Sequence, residues 1–256
     1  MSSSFHVAIP ARRGATRLPG KVLAPIQGKP MLQWVFERAM ASGAADVSIA
    51  TDDPGIAAAA HAFGATARMT SAAHASGTDR IAELAAIEGW ADTDIVVNVQ
   101  GDEPLMPPAL IRQVVTLLEM DPEAAIATLA TPVESLPEFL DPNAVKVVAD
   151  EKGRALYFSR APIPWNREGA PSGASSQRVF AGARRHIGIY AYRVRALRRL
   201  ASLAPTALEQ SEKLEQLRAL EHGFVIRVAD AKERPGPDVN TSEDLERVAA
   251  LLRART

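Results

Sequence analysis

A short basic loop near the start of the chain carries the first residues that could do chemistry. The stretch ARRGATRLPGK, residues 11–21, contains the cations Arg12, Arg13, Arg17 and Lys21. The whole chain has a formal net charge of −1, so this positive charge is local and suits a small anionic ligand. Backbone N–H groups of a glycine-containing loop bind phosphate groups together with Arg and Lys side chains. A solvated basic turn is the alternative interpretation.

The second such stretch is VVNVQGDEPLM, residues 96–106, in which an apolar run leads into Gln100, Gly101, Asp102 and Glu103. Mg²⁺ typically takes one or two carboxylates plus phosphate oxygens of a substrate, so Asp102 is a candidate metal ligand. Glu103 is a weaker candidate, because neighbouring residues of an extended chain point to opposite sides. An acidic turn that serves solubility is the alternative.

Strand and helix patterns alternate over residues 5–131, which predicts an α/β fold with a mostly parallel mixed sheet flanked by helices. Ligands of such sheets bind outside the carboxyl ends of the strands. The basic loop and Asp102 each follow a predicted strand, so we expect Lys21 and Asp102 to lie close together. The predicted strands are 5–10, 46–51, 66–70, 94–100 and 124–131, and the predicted helices are 29–44, 53–64, 77–90 and 107–120.

After residue 131 the alternation is less regular. The pattern predicts two strands within 144–160, strands at 185–192 and 224–230, and helices at 194–202, 207–222 and 241–255. On a strand, residues four apart share a face, so His186 and Tyr190 are expected to lie on the same side. The stretch 166–184 is rich in Gly, Ser and Ala and is interpreted as a mobile loop or lid.

Composition excludes several classes of protein. The 256 residues suit one domain, or one domain with a lobe, and 47% hydrophobic and 23% charged residues are typical of globular proteins. The absence of cysteine excludes disulfides and thiolate chemistry, and the near-zero charge argues against a nucleic-acid partner. There is no Walker A or GxGxxG pattern. Without a signal-peptide pattern or a run of ~18 apolar residues, we expect a cytoplasmic protein with no membrane contact.

Seven stretches, in order along the chain, resemble the 3-deoxy-manno-octulosonate cytidylyltransferase (CMP-Kdo synthetase) family. The resemblance covers about residues 5–250. The basic loop alone would suit any sugar nucleotidyltransferase, whereas the fifth and sixth stretches belong to the half that binds the sugar acid and are more specific. The stretches are IPARRGATRLPGKVLAPIQGKPMLQWV, SGTDRIAE, VVNVQGDEPLM, NAVKVV, ALYFSRAPIPW, RHIGIYAYR and LEQLRAL.

The resemblance implies a fold and an activity. The fold would be nucleotide-diphospho-sugar-transferase-like, in a single nucleotidyltransferase domain over 1–256. Residues 1–131 and 203–256 would form the nucleotide-binding core, and 132–202 a smaller lobe with the sugar pocket and the dimer surface. Members of the family join CTP to the sugar acid Kdo, release pyrophosphate, use Mg²⁺ and form homodimers. Their product enters lipopolysaccharide synthesis in Gram-negative bacteria.

The resemblance also implies roles for individual residues. Asp102, Lys21 and Arg12 would be catalytic, with Asp102 as a Mg²⁺ ligand. Gln100 would lie near both the nucleotide and the sugar. The nucleotide would be bound by Arg12, Arg17, Lys21, Ser76, Gly77, Thr78, Arg80 and Gln100. The sugar acid would be bound by Gln100, Arg160, His186, Tyr190, Glu215 and Gln216.

Three features of the chain depart from the family pattern. Arg13, Gly14 and Ala15 stand where the family has an aromatic residue, a variable residue and a serine. The family's second metal-ligating aspartate is Asn240 here, and an amide oxygen can ligate Mg²⁺ but brings no charge; Asp238 is a possible substitute. The stretch 166–184 matches no family segment. A cytidylyltransferase for a related sugar acid, such as 8-amino-Kdo or a sialic-acid-like acid, and a weakly active nucleotide-binding paralogue therefore remain as alternatives.

Overall fold

The computed structural model describes residues 4–12, 14, 18, 20–74, 76–169, 172–180 and 182–254. The strands are β1 (Phe5–Ala11), β2 (Pro25–Ile26), β3 (Lys29–Pro30), β4 (Asp46–Thr51), β5 (Thr66–Met69), β6 (Ile95–Asn98), β7 (Ile126–Pro132), β8 (Lys146–Ala149), β9 (Ala155–Ser159), β10 (Arg184–Arg193) and β11 (Ile226–Asp230). The α-helices are α1 (Met31–Met40), α2 (Pro54–Ala62), α3 (Gly77–Ile87), α4 (Pro108–Met120), α5 (Leu136–Leu140), α6 (Val194–Ala201), α7 (Ala207–Glu212), α8 (Gln216–Glu221) and α9 (Ser242–Arg253).

Within the described residues, nine strands form one mixed sheet in the order β11-β7-β10-β6-β1-β4-β5, and β8 pairs with both β10 and β9. The pairs of β1 with β4 and β6, of β4 with β5 and of β7 with β11 are parallel. Strand β10 runs antiparallel between β6 and β7. The predicted α/β class, with a mixed sheet flanked by helices, is confirmed.

Alternating side chains of the central strands pack into two hydrophobic cores, one on each face of the sheet. Val7 and Ile9 of β1 and Val97 of β6 belong to the core that also holds apolar side chains of α1, α2, α4 and α9. Ala8 and Val96 belong to the opposite core, with side chains of α3, α6 and α8. This period of two is the normal geometry of a strand. Because helices cover both faces of β1 and β6, side chains on both faces are buried, and the sequences of these strands are nearly continuous apolar runs.

Most predicted elements are confirmed to within a few residues, but the predicted helix 207–222 is wrong. Helix α7 ends at Glu212 and α8 begins at Gln216. Lys213, which lies between them, has a left-handed φ of 55°, and an α-helix of L-residues does not continue through that conformation. The short helix α5 and the hairpin formed by β2 and β3 were not predicted.

The segment predicted as a separate lobe, 132–202, contributes both to the central sheet and to an extension beside it. Strand β10 lies inside the central sheet, whereas β8 and β9 extend the sheet beside the amino-terminal end of β10. The division into a nucleotide-binding core and a sugar-binding lobe stays a prediction. Among the described residues, no helix is long and apolar enough to cross a membrane.

Candidate active site

Lys21 joins three distant parts of the chain at the carboxyl edge of the sheet. Because β1 and β6 are parallel neighbours, the basic loop and the turn that follows β6 leave the sheet on the same side. Lys21 Nζ donates hydrogen bonds to Asp102 Oδ2 at 2.6 Å, to the Val239 carbonyl oxygen at 2.8 Å and to Asn240 Oδ1 at 3.3 Å. The expectation that Lys21 and Asp102 lie close together is confirmed.

A cavity of about 340 Å³, here called the Arg12 cavity, opens beside this ion pair. A Cβ atom at Gly101 would lie 3.1 Å from the Pro10 carbonyl oxygen, so the close approach of β1 to the turn after β6 favours glycine there. Arg17, Arg13 and Ala15 lie outside the described residues, and the predicted role of Arg17 stays a prediction. The lining includes Arg12, Gly14, Lys21, Ser76, Gly77, Gln100, Asp102 and Glu215.

The oxygen atoms around Lys21 suit a magnesium ion. Oxygens of Asp102, Val239 and Asn240 converge on one cationic group, the Lys21 ammonium, and carboxylate and carbonyl oxygens are the ligands that Mg²⁺ prefers. The described residues contain no group of three or more His, Cys, Asp or Glu side chains that could hold an ion. Mg²⁺ in nucleotide sites usually takes one or two protein ligands and fills its other positions with phosphate oxygens and water. Asp102 and Asn240 are the side chains that would hold it.

A second cavity, of about 290 Å³, collects most of the residues predicted to bind the sugar acid, and is here called the Tyr190 cavity. Gln100 and Glu215 line this cavity and the Arg12 cavity alike, so two ligands bound in them would be neighbours. Its lining includes Thr78, Asn98, Gln100, His186, Tyr190, Tyr192, Glu215 and Gln216.

Glu215, just before α8, lies near the start of α3. The side chains of Thr78 and Ser76 act on the pKa of its carboxyl group. Ser76 is also the N-cap of α3, because its Oγ accepts a hydrogen bond from the Asp79 backbone nitrogen at 3.1 Å. Burial raises the pKa of Glu215, and the Thr78 and Ser76 side chains oppose that shift. A partly buried carboxyl group therefore stands where the two cavities meet.

His186 and Tyr190 lie side by side on β10, with ring centroids 5.2 Å apart. The register of β10 against β7 shifts between Ile187 and Tyr190, yet the two side chains still share a face, as predicted. Burial, with a smaller effect from Arg185, lowers the pKa of His186 to about 3. The imidazole is therefore neutral near pH 7 and can accept a hydrogen bond through one ring nitrogen.

The third cavity, of about 740 Å³, is here called the Arg185 cavity. It shares Gln100 and His186 with the Tyr190 cavity, and Asp102 with the Arg12 cavity. Burial and the charges of Asp102 and Asp238 raise the pKa of Glu103 to about 8. Glu103 Oε2 is buried and has no hydrogen-bond partner among the described residues. A neutral carboxyl group thus stands beside Asp102 at pH 7.

Three described residues with predicted roles, Arg80, Arg160 and Asn240, line none of the three cavities, although Asn240 contacts Lys21. Arg80 is fully buried; its Nη1 donates to Thr70 Oγ1 at 2.5 Å, and its Nη2 lies 3.2 Å from Asp52 Oδ2. Both partners follow strand ends, so Arg80 anchors α3 to the sheet. The predicted role of Arg80 in contacting the nucleotide stays a prediction.

The guanidinium group of Arg160 donates hydrogen bonds to backbone carbonyl oxygens. Its Nε donates to the Glu212 carbonyl oxygen at 2.6 Å and its Nη1 to the Pro142 carbonyl oxygen at 2.9 Å. These bonds fix the end of α7, just before the Lys213 break that leads to Glu215. In the present arrangement Arg160 supports the Tyr190 cavity from outside, and direct contact with a sugar acid stays a prediction.

Comparison with known proteins identifies the family. A family model described as Cytidylyltransferase matches residues 7–232. The 3-deoxy-manno-octulosonate cytidylyltransferase of Thioalkalivibrio sulfidiphilus is 55% identical over 251 residues, which are 98% of this chain and 100% of the relative. The enzyme of the same name from Halorhodospira halophila is 53% identical over 98% of each chain. The chain belongs to the 3-deoxy-manno-octulosonate cytidylyltransferase family.

Solved structures agree with this family and with the fold. A structure of CMP:2-keto-3-deoxy-manno-octonic acid synthetase complexed with CTP superposes with a TM-score of 0.88 and 42% sequence identity, covering 99% of this chain and 100% of the other. A cytidylyltransferase from Leptospira borgpetersenii serovar Hardjo-bovis gives a TM-score of 0.63 at 18% identity, covering 98% of this chain and 88% of the other. The second likeness supports the fold alone.

Two groups in this cytidylyltransferase site could not be found from the sequence. The Val239 carbonyl oxygen accepts a hydrogen bond from Lys21, but a backbone atom carries no sequence signal. Thr128 Oγ1 lies 2.9 Å from His186 Nε2, but it sits within an apolar strand, IATLATP, where threonine is a common strand residue. Only the pairing of β7 with β10 brings Thr128 to His186.

Proposed function

We propose that this protein transfers CMP from CTP to the anomeric hydroxyl group of Kdo and releases pyrophosphate. One observation carries the proposal: Lys21 Nζ lies 2.6 Å from Asp102 Oδ2, beside a cavity that also holds Arg12 and Gln100. A cation cluster and a metal-ligating carboxylate are the two requirements for binding a nucleoside triphosphate with Mg²⁺.

On the nucleotide side, Arg12, Arg17 and Lys21 would bind the triphosphate. Their positive charges would offset the charge that builds on pyrophosphate as it leaves, which is where fixed cations assist phosphoryl transfer most. Ser76, Gly77 and Thr78 at the start of α3 would face the nucleoside. Asp102 and Asn240 would hold Mg²⁺, which when bound shields phosphate charge and lowers the pKa of a coordinated hydroxyl group.

On the sugar side, the Tyr190 cavity offers groups of several kinds. Neutral His186 would accept a hydrogen bond from a sugar hydroxyl, and Gln216 and the Tyr190 phenol can each donate one. Burial raises the pKa of Tyr190, so the phenol keeps its proton near pH 7. Gln100 lines all three cavities, and would hold the sugar beside the α-phosphate. Fixed positions for both reactants account for a large part of the acceleration of such a transfer.

The reaction forms one bond and breaks one. The anomeric oxygen of Kdo bonds to the α-phosphorus of CTP, and the bond from that phosphorus to the oxygen bridging to the β-phosphate breaks in line. The anomeric hydroxyl proton passes to water, and pyrophosphate departs. Asp102 and Asn240 would hold the Mg²⁺, which would supply acidification of the hydroxyl group, so the proposal assigns no side chain as the base.

Further parts of the proposal concern the setting of the reaction. We propose Mg²⁺ as the cofactor, a homodimer as the working form, the cytoplasm as the place and lipopolysaccharide synthesis as the use of the product. The dimer is supported by exposed apolar side chains in the predicted lobe, namely Leu156, Trp165 and Val179, which are 63%, 46% and 41% exposed. The magnesium ion is supported by the oxygen donors of Asp102 and Asn240.

The test is pyrophosphate release by purified protein with CTP, Mg²⁺ and a panel of sugar acids: Kdo, 8-amino-Kdo and N-acetylneuraminic acid. We expect release with Kdo, and much slower release when ATP or GTP replaces CTP. Release with only another acid would assign a different substrate in the same reaction class. Absence of release with every acid, in protein that still binds CTP, would indicate a nucleotide-binding paralogue instead.

A further inference from the structure

Thr128 lies under the irregular part of β10 and contacts three groups at once. Its side chain is fully buried in β7. Its Oγ1 lies 2.9 Å from His186 Nε2, 3.1 Å from the Ile187 carbonyl oxygen and 2.7 Å from the Ile189 carbonyl oxygen. The register shift between Ile187 and Tyr190 brings both carbonyl groups to the same hydroxyl. One hydroxyl group thus serves a side chain and two backbone acceptors.

Counting hydrogens determines the direction of the bond to His186. A threonine hydroxyl has one hydrogen to donate, whereas its oxygen can accept. The two carbonyl oxygens can only accept, so the Thr128 hydroxyl hydrogen is donated to a carbonyl oxygen. The shorter distance indicates that the acceptor is the Ile189 carbonyl oxygen. The oxygen is then an acceptor towards His186, and Nε2 must carry a hydrogen. The opposite direction would leave two buried carbonyl groups without this donor, which is costly.

The other ring nitrogen of His186 is free for a ligand. The ring lines both the Tyr190 cavity and the Arg185 cavity and packs edge-on against Phe158, with centroids 5.1 Å apart. Its Nδ1 has no hydrogen-bond partner among the described residues. Because His186 is neutral near pH 7, a hydrogen on Nε2 leaves Nδ1 with a lone pair.

We propose that Thr128 is a positioning residue that holds His186 as the Nε2–H tautomer, so that Nδ1 accepts a hydrogen bond from a hydroxyl group of the sugar acid. This proposal rests on the proposed function for the identity of the ligand. The tautomer itself depends only on the contacts of Thr128. The side chain of Thr128 is separated from the ligand by the imidazole, and its effect reaches the sugar only through His186.

The test compares wild-type protein with Thr128→Val, which keeps the shape but removes the hydroxyl group, and Thr128→Ser, which restores it. Thr116→Val is the matched control, because Thr116 Oγ1 donates a hydrogen bond within α4, to the Arg112 carbonyl oxygen, and lies far from His186 in the chain. Nitrogen-15 NMR of the imidazole at pH 7.5, without substrate, reports the tautomer. Steady-state kinetics report KM for Kdo and for CTP separately, and thermal unfolding checks that each variant is folded.

We expect wild type, Thr128→Ser and Thr116→Val to carry hydrogen on Nε2 of His186. Thr128→Val should populate the Nδ1–H form and raise KM for Kdo about tenfold, a loss of about 1.4 kcal/mol, with KM for CTP unchanged. Hydrogen on Nδ1 in the wild type would overturn the proposal even if Thr128→Val failed to fold. So would a Thr128→Val protein with unchanged tautomer and unchanged KM for Kdo.

The tautomer measurement also separates this proposal from the proposed function. Wild-type protein that shows the Nε2–H form but releases no pyrophosphate with Kdo would leave the positioning by Thr128 intact and would reject Kdo as the substrate. Wild-type protein that uses Kdo but shows the Nδ1–H form would support Kdo as the substrate and would reject the positioning of His186 by Thr128.

Discussion

At the scale of single residues, position 240 sets how much negative charge faces Asp102. Asn240 Oδ1 accepts a hydrogen bond from Lys21, while its Nδ2 donates to Asp238 Oδ2 at 2.5 Å. The amide therefore offers an oxygen towards the site and keeps a carboxylate, Asp238, directly behind it. This arrangement keeps the Asp238 carboxylate close to the Asn240 amide.

Replacing Asn240 by aspartate should tighten magnesium binding. An added charge about 4 Å from the ion contributes on the order of 1 kcal/mol per ionic charge in water. For doubly charged Mg²⁺ this is about 2 kcal/mol, so we expect roughly thirtyfold tighter binding, measured by a Mg²⁺ titration in the presence of CTP. Gln210→Glu adds the same charge at an exposed position of α7 and should leave the titration unchanged. An identical titration for Asn240→Asp would show that residue 240 does not touch the ion.

Asp102 is the residue on which turnover should depend most. Replacing Asp102 by alanine removes the carboxylate paired with Lys21, and we expect turnover to fall at least ~10²-fold, about 2.7 kcal/mol at the barrier. Pyrophosphate release at saturating CTP and Kdo measures the effect. Glu246→Gln, on the exposed face of α9, is the control and should keep normal turnover. A folded Asp102→Ala protein with a near-normal rate would remove Asp102 from the mechanism.

His186 should also affect stability in acid. The pKa of His186 is about 3 in the folded protein and about 6.5 when unfolded, so below pH 6.5 the unfolded state binds a proton that the folded state does not. Stability is therefore lost as pH falls from about 6.5 towards 3, and this part of the loss should be absent from His186→Gln. Melting temperatures of both proteins at pH 7.5 and pH 5 test this. An equal loss in both would contradict a neutral, buried His186.

At the scale of elements, the start of α3 holds both cavities in place. Ser76 caps the helix, while Arg80, one turn later, reaches Thr70 and Asp52 at the ends of the neighbouring strands. Gly77 at this terminus lines both the Arg12 cavity and the Tyr190 cavity, so the contacts of Arg80 hold part of both walls in place. We infer that Arg80 contributes mainly to the shape of the site.

Arg80→Ala should therefore destabilise the protein. Arg80 heads the fully buried side chains by volume, and truncating a large core side chain costs about 2–5 kcal/mol. Urea unfolding measures the loss. Arg68→Ala on β5 is the control: its side chain is 46% exposed and pairs with Glu88, and exposed pairs contribute about 0–1 kcal/mol. If both substitutions cost the same small amount, Arg80 does not anchor α3.

At the scale of the whole molecule, the predicted lobe leaves an edge of the sheet open. Among the described residues, β9 pairs only with β8, and Leu156 on β9 is 63% exposed. Natural proteins cover or pair exposed apolar edge strands, because such edges otherwise associate. A second copy of the chain would cover this edge, in line with the proposed homodimer.

Leu156→Lys should weaken such a dimer. A buried lysine charge at an interface is unfavourable unless it finds a partner, so we expect a shift towards monomer in sedimentation velocity at micromolar concentration. Met120→Lys is the matched control, because Met120 is 76% exposed at the end of α4, outside the predicted lobe. A wild-type monomer, or a Leu156→Lys dimer as stable as wild type, would contradict the dimer surface.

The local sequence determined the elements and the chemical type of the site. Strands such as β1 and β6 are covered on both faces, so they appear in the sequence as continuous apolar runs. Such runs can be assigned as strands from the sequence alone. The basic loop and the acidic turn each follow such a run, and parallel strands bring their carboxyl ends to one edge. The order of these elements along the chain therefore predicts that Lys21 lies near Asp102. In the structure Lys21 Nζ lies 2.6 Å from Asp102 Oδ2, which confirms the prediction.

Tertiary structure alone decided which of these side chains line the cavities and which bond to the fold outside them. Arg80 and Arg160 belong to motifs of the family, yet their guanidinium groups bond to groups of the fold outside the cavities. The break at Lys213 and the contact of Thr128 with His186 also have no local signal. The physical reason is that local patterns determine strands and helices, whereas the partner of a buried polar group depends on contacts between residues far apart in the chain.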